Sequence, residues 1–181
     1  VAPMCQYSSI DGEASDWHVQ HWSNLALSGA GLVIVEATAV EPRGRISWAD
    51  LGLYDDATEA AFANALATVR RWSPAKMGVQ LAHAGRKAST LKPWEGGGGP
   101  IPADDARGWT TRAPSALPYA ETDPVPEALD DAGIAEIIQA FTDSAIRAVR
   151  LGLDLIEIHA AHGYLLHEFL SPLSNRRSDA Y

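Results

Sequence analysis

Four short apolar runs recur along the chain, with stretches of helical periodicity between them. They are "VAPMC" at 1–5, "GLVIVEA" at 31–37, "MGVQLAH" at 77–83 and "LDLIEIHA" at 153–160. Each has the length and β-branched content of a strand, and each is too continuously apolar to keep one face in water. Such strands need cover on both sides, and parallel βαβ units supply it. This alternation confines the chain to the α/β class.

The stretches between the runs carry helix signals. "SDWHVQHWSNLALSGA" can be capped by Ser15 or Asp16, spaces Trp17, Val19, Trp22, Leu25 and Ala26 helically, and stops at Gly29 and Gly31. "DDATEAAFANALATVRRWS" runs from acids to Arg70 and Arg71 and then meets Pro74, a charge order that suits the helix dipole. "DDAGIAEIIQAFTDSAIRAVRLG" repeats that order around Ile134, Ile137, Ile138, Phe141, Ala145 and Val149. Right-handed crossovers then place the helices outside the sheet. Both a closed (β/α)8 barrel and an open doubly wound sheet put their chemistry at the carboxyl ends of strands. Cys5, Ala37, Thr38, Gln80, His83, His159 and His162 all fall there. A barrel takes about 250 residues, so 181 residues with four βα units make roughly half of one. The chain, read as a single domain over 1–181, looks like half a barrel, the first four βα units of a TIM (β/α)8 fold, with the open doubly wound sheet as the competing solution.

Residues 88–130 interrupt the rhythm. Gly96 to Gly99 and seven prolines, from Pro93 to Pro126, forbid a long helix there. The segment reads as a loop excursion over the mouth of the site. The chain opens without an initiator Met and closes on the polar "SNRRSDAY", so both ends read as cuts through a longer protein.

Charge narrows the partners. A net charge of −9 argues against nucleic acid or an anionic membrane as the main partner, since either prefers a basic face. No apolar run approaches the roughly 20 residues of a membrane span. One cysteine cannot build an intrachain disulfide and fits a reducing, cytoplasmic compartment.

The stretch "IEIHAAHGY", 156–164, ends an apolar run on His159, His162 and Tyr164. Three proton-competent groups in six residues could ligate zinc with Glu157, could be histidines paired with backbone, or could bind a ligand oxygen. Cys5 is either a small buried hydrophobe or a group facing a ligand. Gln80, inside a strand, needs partners, and a ring with amide edges or a backbone carbonyl would serve equally. The glycines of "SGAGLVIV" precede a strand instead of opening a helix, so they form no dinucleotide fingerprint. No Gly-x-Ser-x-Gly elbow is present.

Taken together, "PMCQYS", "EATAVEPRGRIS", "QLAHAGRKA" and "IEIHAAHGYLLHEFLSPLSNRRSDAY" resemble the Old Yellow Enzyme family, in its thermophilic-like, xenobiotic-reductase branch. The resemblance runs in order along nearly the whole chain. It implies a TIM barrel holding FMN, fed by NADPH or NADH, that reduces the C=C bond of activated alkenes such as enals and enones. Pro3, Met4 and Cys5 match the segment lining the flavin, and Ala37 the position whose backbone meets the isoalloxazine. Gln80 matches the glutamine on the pyrimidine edge. His159 and His162 match the pair that binds the substrate carbonyl oxygen, with His159 also placed to reach the flavin. Tyr164 matches the proton donor and Tyr7 a substrate-holding tyrosine. The resemblance also implies small-molecule substrates, no metal, and a homo-oligomer at full length. Rival readings are a flavin and iron–sulfur enzyme of the dienoyl-CoA reductase type, and a non-catalytic flavin-binding half-barrel that works beside a partner chain.

Overall fold

The computed structural model describes residues 1–181. Its central sheet is parallel, with β1 (Leu32–Ala39), β2 (Lys76–Ala82) and β5 (Leu155–Ile158) in the order β1-β2-β5. Four helices accompany it: α1 (Asp16–Leu27), α2 (Asp56–Trp72), α3 (Asp131–Arg150) and the short α4 (Leu165–Leu170). The expected strand–helix alternation is present, with bounds shifted by one to two residues. No helix is long and apolar enough to cross a membrane.

The first run departs from expectation. Residues 1–5 form no regular strand. Only Val1 joins β1, donating to the Leu32 carbonyl at 2.6 Å and accepting from the Ile34 N–H at 3.0 Å. Two residues on, Pro3 has no N–H to continue such a ladder. The chain stays alongside β1, with the Gln6 N–H donating to Glu36 at 2.7 Å, and bends at Tyr7, whose φ of 51° is left-handed.

Helix ends follow their caps. Asp55 accepts from the Thr58 N–H at 2.8 Å and Asp130 from the Gly133 N–H at 2.8 Å, satisfying donors that the first turn leaves free. Gly29, at φ 92°, and Gly152, at φ 66°, take the left-handed backbone that stops α1 and α3. Arg70, from the last turn of α2, donates to the Leu151 and Gly152 carbonyls beyond α3 at 2.7 and 2.6 Å. Glu59 of α2 holds Arg147 and Arg150 of α3. The two helices are thereby tied together over the sheet.

The core lies between the sheet and α1 and α2. Trp22, Phe62, Leu66, Val69, Val33, Val35, Met77, Val79 and Leu81 are buried there, and the Trp22 and Phe62 rings pack 4.8 Å apart. Residues 88–130 are ordered by their own contacts. The two-residue strands β3 (Arg112–Ala113) and β4 (Glu127–Ala128) pair in parallel, and Trp109 donates from its indole N–H to the Arg43 carbonyl at 2.9 Å. Gly96, Gly97 and Gly98 all have positive φ, which explains the glycine run as one tight turn.

Candidate active site

The strand ends deliver one row of side chains. Register pairs Ala37 with Gln80 and Gln80 with Glu157, so these three sit side by side across β1, β2 and β5. A bulge between Val35 and Ala37 displaces Glu36 from the ladder and restores the phase for Ala37. Gln80 is half-buried, and its amide donates to the Glu157 carboxylate.

Just past β5, the backbone of His159 still bonds to β2, donating to the Leu81 carbonyl at 2.9 Å. The chain then turns through His162 at φ 59° and Gly163 at φ 74°. This turn folds three rings together. His159 stands 5.0 Å from His162 and 4.9 Å from Tyr164, and His162 stands 6.4 Å from Tyr164, all edge to face. His162 is exposed, His159 buried and Tyr164 half-buried. A left-handed non-glycine costs on the order of 1–3 kcal/mol and persists only where surroundings impose it. Two of the four such residues in the chain, Tyr7 and His162, are site candidates.

Protonation follows from the contacts. Nδ1 of His159 accepts from the Ala161 N–H at 3.2 Å, so the neutral ring carries its proton on Nε2. Burial, and then His162, hold the His159 pKa below the usual imidazole value. Burial, then Cys5 and Asp50, push the Tyr164 phenol up to about 12. Burial also raises Tyr7, with Cys5, Asp50 and Tyr164 adding to it. Lys87 closes the rim: its ammonium donates to the His162 carbonyl at 2.8 Å and lies 5.1 Å over the Tyr164 ring and 4.8 Å over Tyr119.

The structure thus brings Cys5, Tyr7, Tyr164, His159 and His162 together with the Ala37–Gln80 row. The Ala37 N–H faces the half-buried Cys5 thiol. Pro3 is half-buried and Met4 is 72% exposed, so Met4 makes the loosest contact of the set. No third metal-type donor converges on His159 and His162, which leaves the zinc reading without a ligand set. His83 is structural: its Nδ1 accepts from the Gly85 N–H and its Nε2 faces Glu41 at 2.8 Å.

Sequence reasoning missed Lys87, Glu36, Asp50, His18 and Glu168. Glu36 did carry a signal, as the one charge inside "LVIVEATA". Glu168, 1% exposed, accepts from the Arg86 N–H at 2.9 Å, and burial pushes its carboxyl up to about 8.

Comparison with known proteins decides the family. The description "NADH:flavin oxidoreductase / NADH oxidase" matches residues 1–181. The chain belongs to that family. This NADH:flavin oxidoreductase family chain is 46% identical over 184 residues to NADH:flavin oxidoreductase FG08077 of Gibberella zeae, covering all of itself and 44% of that protein. It is 45% identical over 183 residues to the NADPH dehydrogenase of Geobacillus thermodenitrificans, again covering all of itself and 48% of the relative. Among solved structures, morphinone reductase superposes with a TM-score of 0.83 at 28% identity, over 100% of this chain and 48% of that one. Morphinone reductase in complex with tetrahydroNAD gives 0.82 at 28% identity, over 100% of this chain and 50% of that one. The resemblance to the Old Yellow Enzyme family and the TIM-barrel class are borne out. The chain spans about half the length of the curated relatives it matches.

Proposed function

We propose that this chain forms the flavin- and substrate-facing part of an NAD(P)H-dependent, FMN-containing ene-reductase. The observation that carries the reading is the convergence of His159, His162 and Tyr164 beside Cys5 at the carboxyl ends of parallel strands. The donor set fits a planar ring with amide edges. Ala37 and Cys5 line one end of the row, the Gln80 amide offers both a donor and an acceptor, and His159 stands at the other end. When bound, FMN supplies the hydride that it takes from NADPH or NADH.

The chain's own residues do the rest. Negative charge builds on the carbonyl oxygen of an α,β-unsaturated substrate as its double bond is reduced. Neutral His159, with its proton on Nε2, can donate to that oxygen, and His162 supplies the second ring. Donors aimed at developing charge in a site shielded from water are worth several kcal/mol. The Tyr164 phenol, raised to about 12, keeps its proton at neutral pH and can deliver it to the substrate carbon. Tyr7 holds the substrate from the first segment, which lies alongside β1. In this reading residues 88–130 lie over the mouth, with Arg86 tied to the Leu117 and Pro118 carbonyls at 3.3 and 3.1 Å and Tyr119 against Lys87. The full-length chain assembles as a homo-oligomer and takes small activated alkenes.

The test is anaerobic titration of the full-length protein. NADPH should bleach the flavin and cyclohexenone should restore its colour. His159→Ala or His162→Ala should slow the second step by about 100-fold or more while leaving the first nearly intact. Reoxidation by enone at the wild-type rate in both variants would remove the two histidines from the reaction.

A further inference from the structure

Behind Cys5 lies a group of ionisable side chains that the proposed chemistry does not use. Glu36 is 3% exposed and Asp50 is 1% exposed, and one ligand-type atom of each lies within 4.8 Å of the other and of the Cys5 thiol. Each carboxylate spends one oxygen on backbone. Glu36 Oε2 accepts from the Gln6 N–H at 2.7 Å, and Asp50 Oδ2 accepts from the Ser47 N–H. Their second oxygens, Glu36 Oε1 and Asp50 Oδ1, are buried and accept no hydrogen bond.

The surroundings offer little charge to offset two carboxylates. His18 of α1 is fully buried; its Nδ1 accepts from the Ser15 N–H at 3.0 Å, so its Nε2–H faces Glu36 Oε1, at 3.4 Å. His21, also on α1, feels the charge of Glu36, and Tyr7 and Tyr164 feel those of Cys5 and Asp50. Arg45 is a permanent cation acting on Asp50, and its influence ranks below those of burial, the Ser47 backbone, Glu36 and the Ile46 backbone. Two carboxylates this close, in a site this dry, do not both ionise at neutral pH.

We infer that Glu36 and Asp50 hold one proton between them, and that the remaining negative charge keeps Cys5 a neutral thiol. Glu36, faced by two N–H groups, keeps the charge, and Asp50 keeps the proton on its otherwise unpartnered Oδ1. Burial pushes the Asp50 carboxyl up to about 7, with Glu36 adding to it. Burial, then Asp50 and Glu36, raise the Cys5 thiol. Both acids are positioning residues. They fix which form of the sulfur faces the site, and the inference stands whether or not a flavin is what the sulfur faces.

The experiment uses the full-length protein. Iodoacetamide labelling of the peptide containing Cys5 is followed by mass spectrometry from about pH 6 to about pH 11, since only the thiolate reacts. Above about pH 7 Asp50 gives up that proton, so both carboxylates face the sulfur while it titrates. Asp50→Asn and Glu36→Gln should therefore each lower the labelling midpoint, raising the rate at a fixed alkaline pH below it by about tenfold. Asp50→Glu should restore the wild-type profile. A purely structural role would alter folding and leave the midpoint in place. In parallel, infrared spectra should show the carbonyl stretch of a protonated carboxyl near neutral pH that vanishes at alkaline pH and is absent from Asp50→Asn. That comparison belongs in a Glu168→Gln background, because Glu168 is a second buried acid with a raised pKa. Unmoved labelling midpoints in folded variants would overturn the inference. So would the lack of that band in the Glu168→Gln protein, or a stoichiometric divalent metal whose chelation alone shifts the midpoint.

Discussion

The two flanks of the sheet are built from similar residues and end in different states. On the first flank, β1 is buried from Val35 to Ala39, and α1 and α2 close over it with Trp22 and Phe62 in contact. On the other, β5 is nowhere fully buried, Ile158 is 49% exposed, and α3 shows Ile138, Ile146 and Val149 to solvent. Apolar content is therefore no guide to burial here. What differs is whether a neighbouring βα unit lies alongside: β1 has α1, α2, β2 and Val1, whereas β5 has a partner strand on one side only.

The sharpest way to break this contrast is through the closed flank. Phe62→Ala removes a ring with no exposure from the larger buried cluster of the chain. It should cost about 3–5 kcal/mol, the usual range for emptying an aromatic site. Urea unfolding of the wild-type and variant proteins would show this as a lower midpoint with an unchanged slope. A cost below about 1 kcal/mol would mean that the closed flank is looser than its burial implies.

A smaller effect is expected where α4 meets the turn at Gly85–Lys87 that follows β2. Glu168 carries a carboxyl raised to about 8 by burial, and its Oε2 has no partner. The folded state thus holds a proton that the unfolded chain releases near the ordinary Glu value. Between about pH 5 and pH 8 the folded form binds more protons, so stability should fall as pH rises through that window. Below it the contribution is fully present, and above the raised value it is lost. Glu168→Gln should flatten the slope and gain on the order of 1–3 kcal/mol at pH 8 relative to wild type. Thermal unfolding in a series of buffers would check it, and a parallel slope in the variant would assign the pH dependence elsewhere.

The sequence made the regular elements legible because their signals are local. The cap at Ser15, the charge order ending at Arg70 and Arg71, the stop at Gly29 and the nearly unbroken apolar strands lie within a few residues of what they control. The turn bearing His159, His162 and Tyr164 was equally legible, its three rings falling within six positions. Residues 1–5 misread as a strand, since the apolar signal there outweighed the missing N–H of Pro3. The Cys5–Glu36–Asp50 group was hidden for a different reason. Its members lie 31 and 14 positions apart, and only the crossing of the first segment over β1 and the turn after it brings them together. The short β3–β4 pair was invisible as well, since two-residue strands carry no periodicity.

The least effect in this chain, and the most informative one, concerns the open flank. Ile138, Ile146 and Val149 share one side of α3, next to the side that buries Ile134 and Ile137 against the rest of the fold. Ile146 is 50% exposed, so Ile146→Ser removes little buried area and should change the stability of the 181-residue chain by no more than about 0.5 kcal/mol. In a full-length barrel the next helix would lie along this side. The same substitution should then cost about 1 kcal/mol or more, because a hydroxyl would replace a buried branched chain. Unfolding measured on both lengths yields the difference between the two costs. A difference near zero would show that α3 ends against water in the complete protein too, and that the asymmetry of the two flanks belongs to the molecule and not to the stretch of chain described.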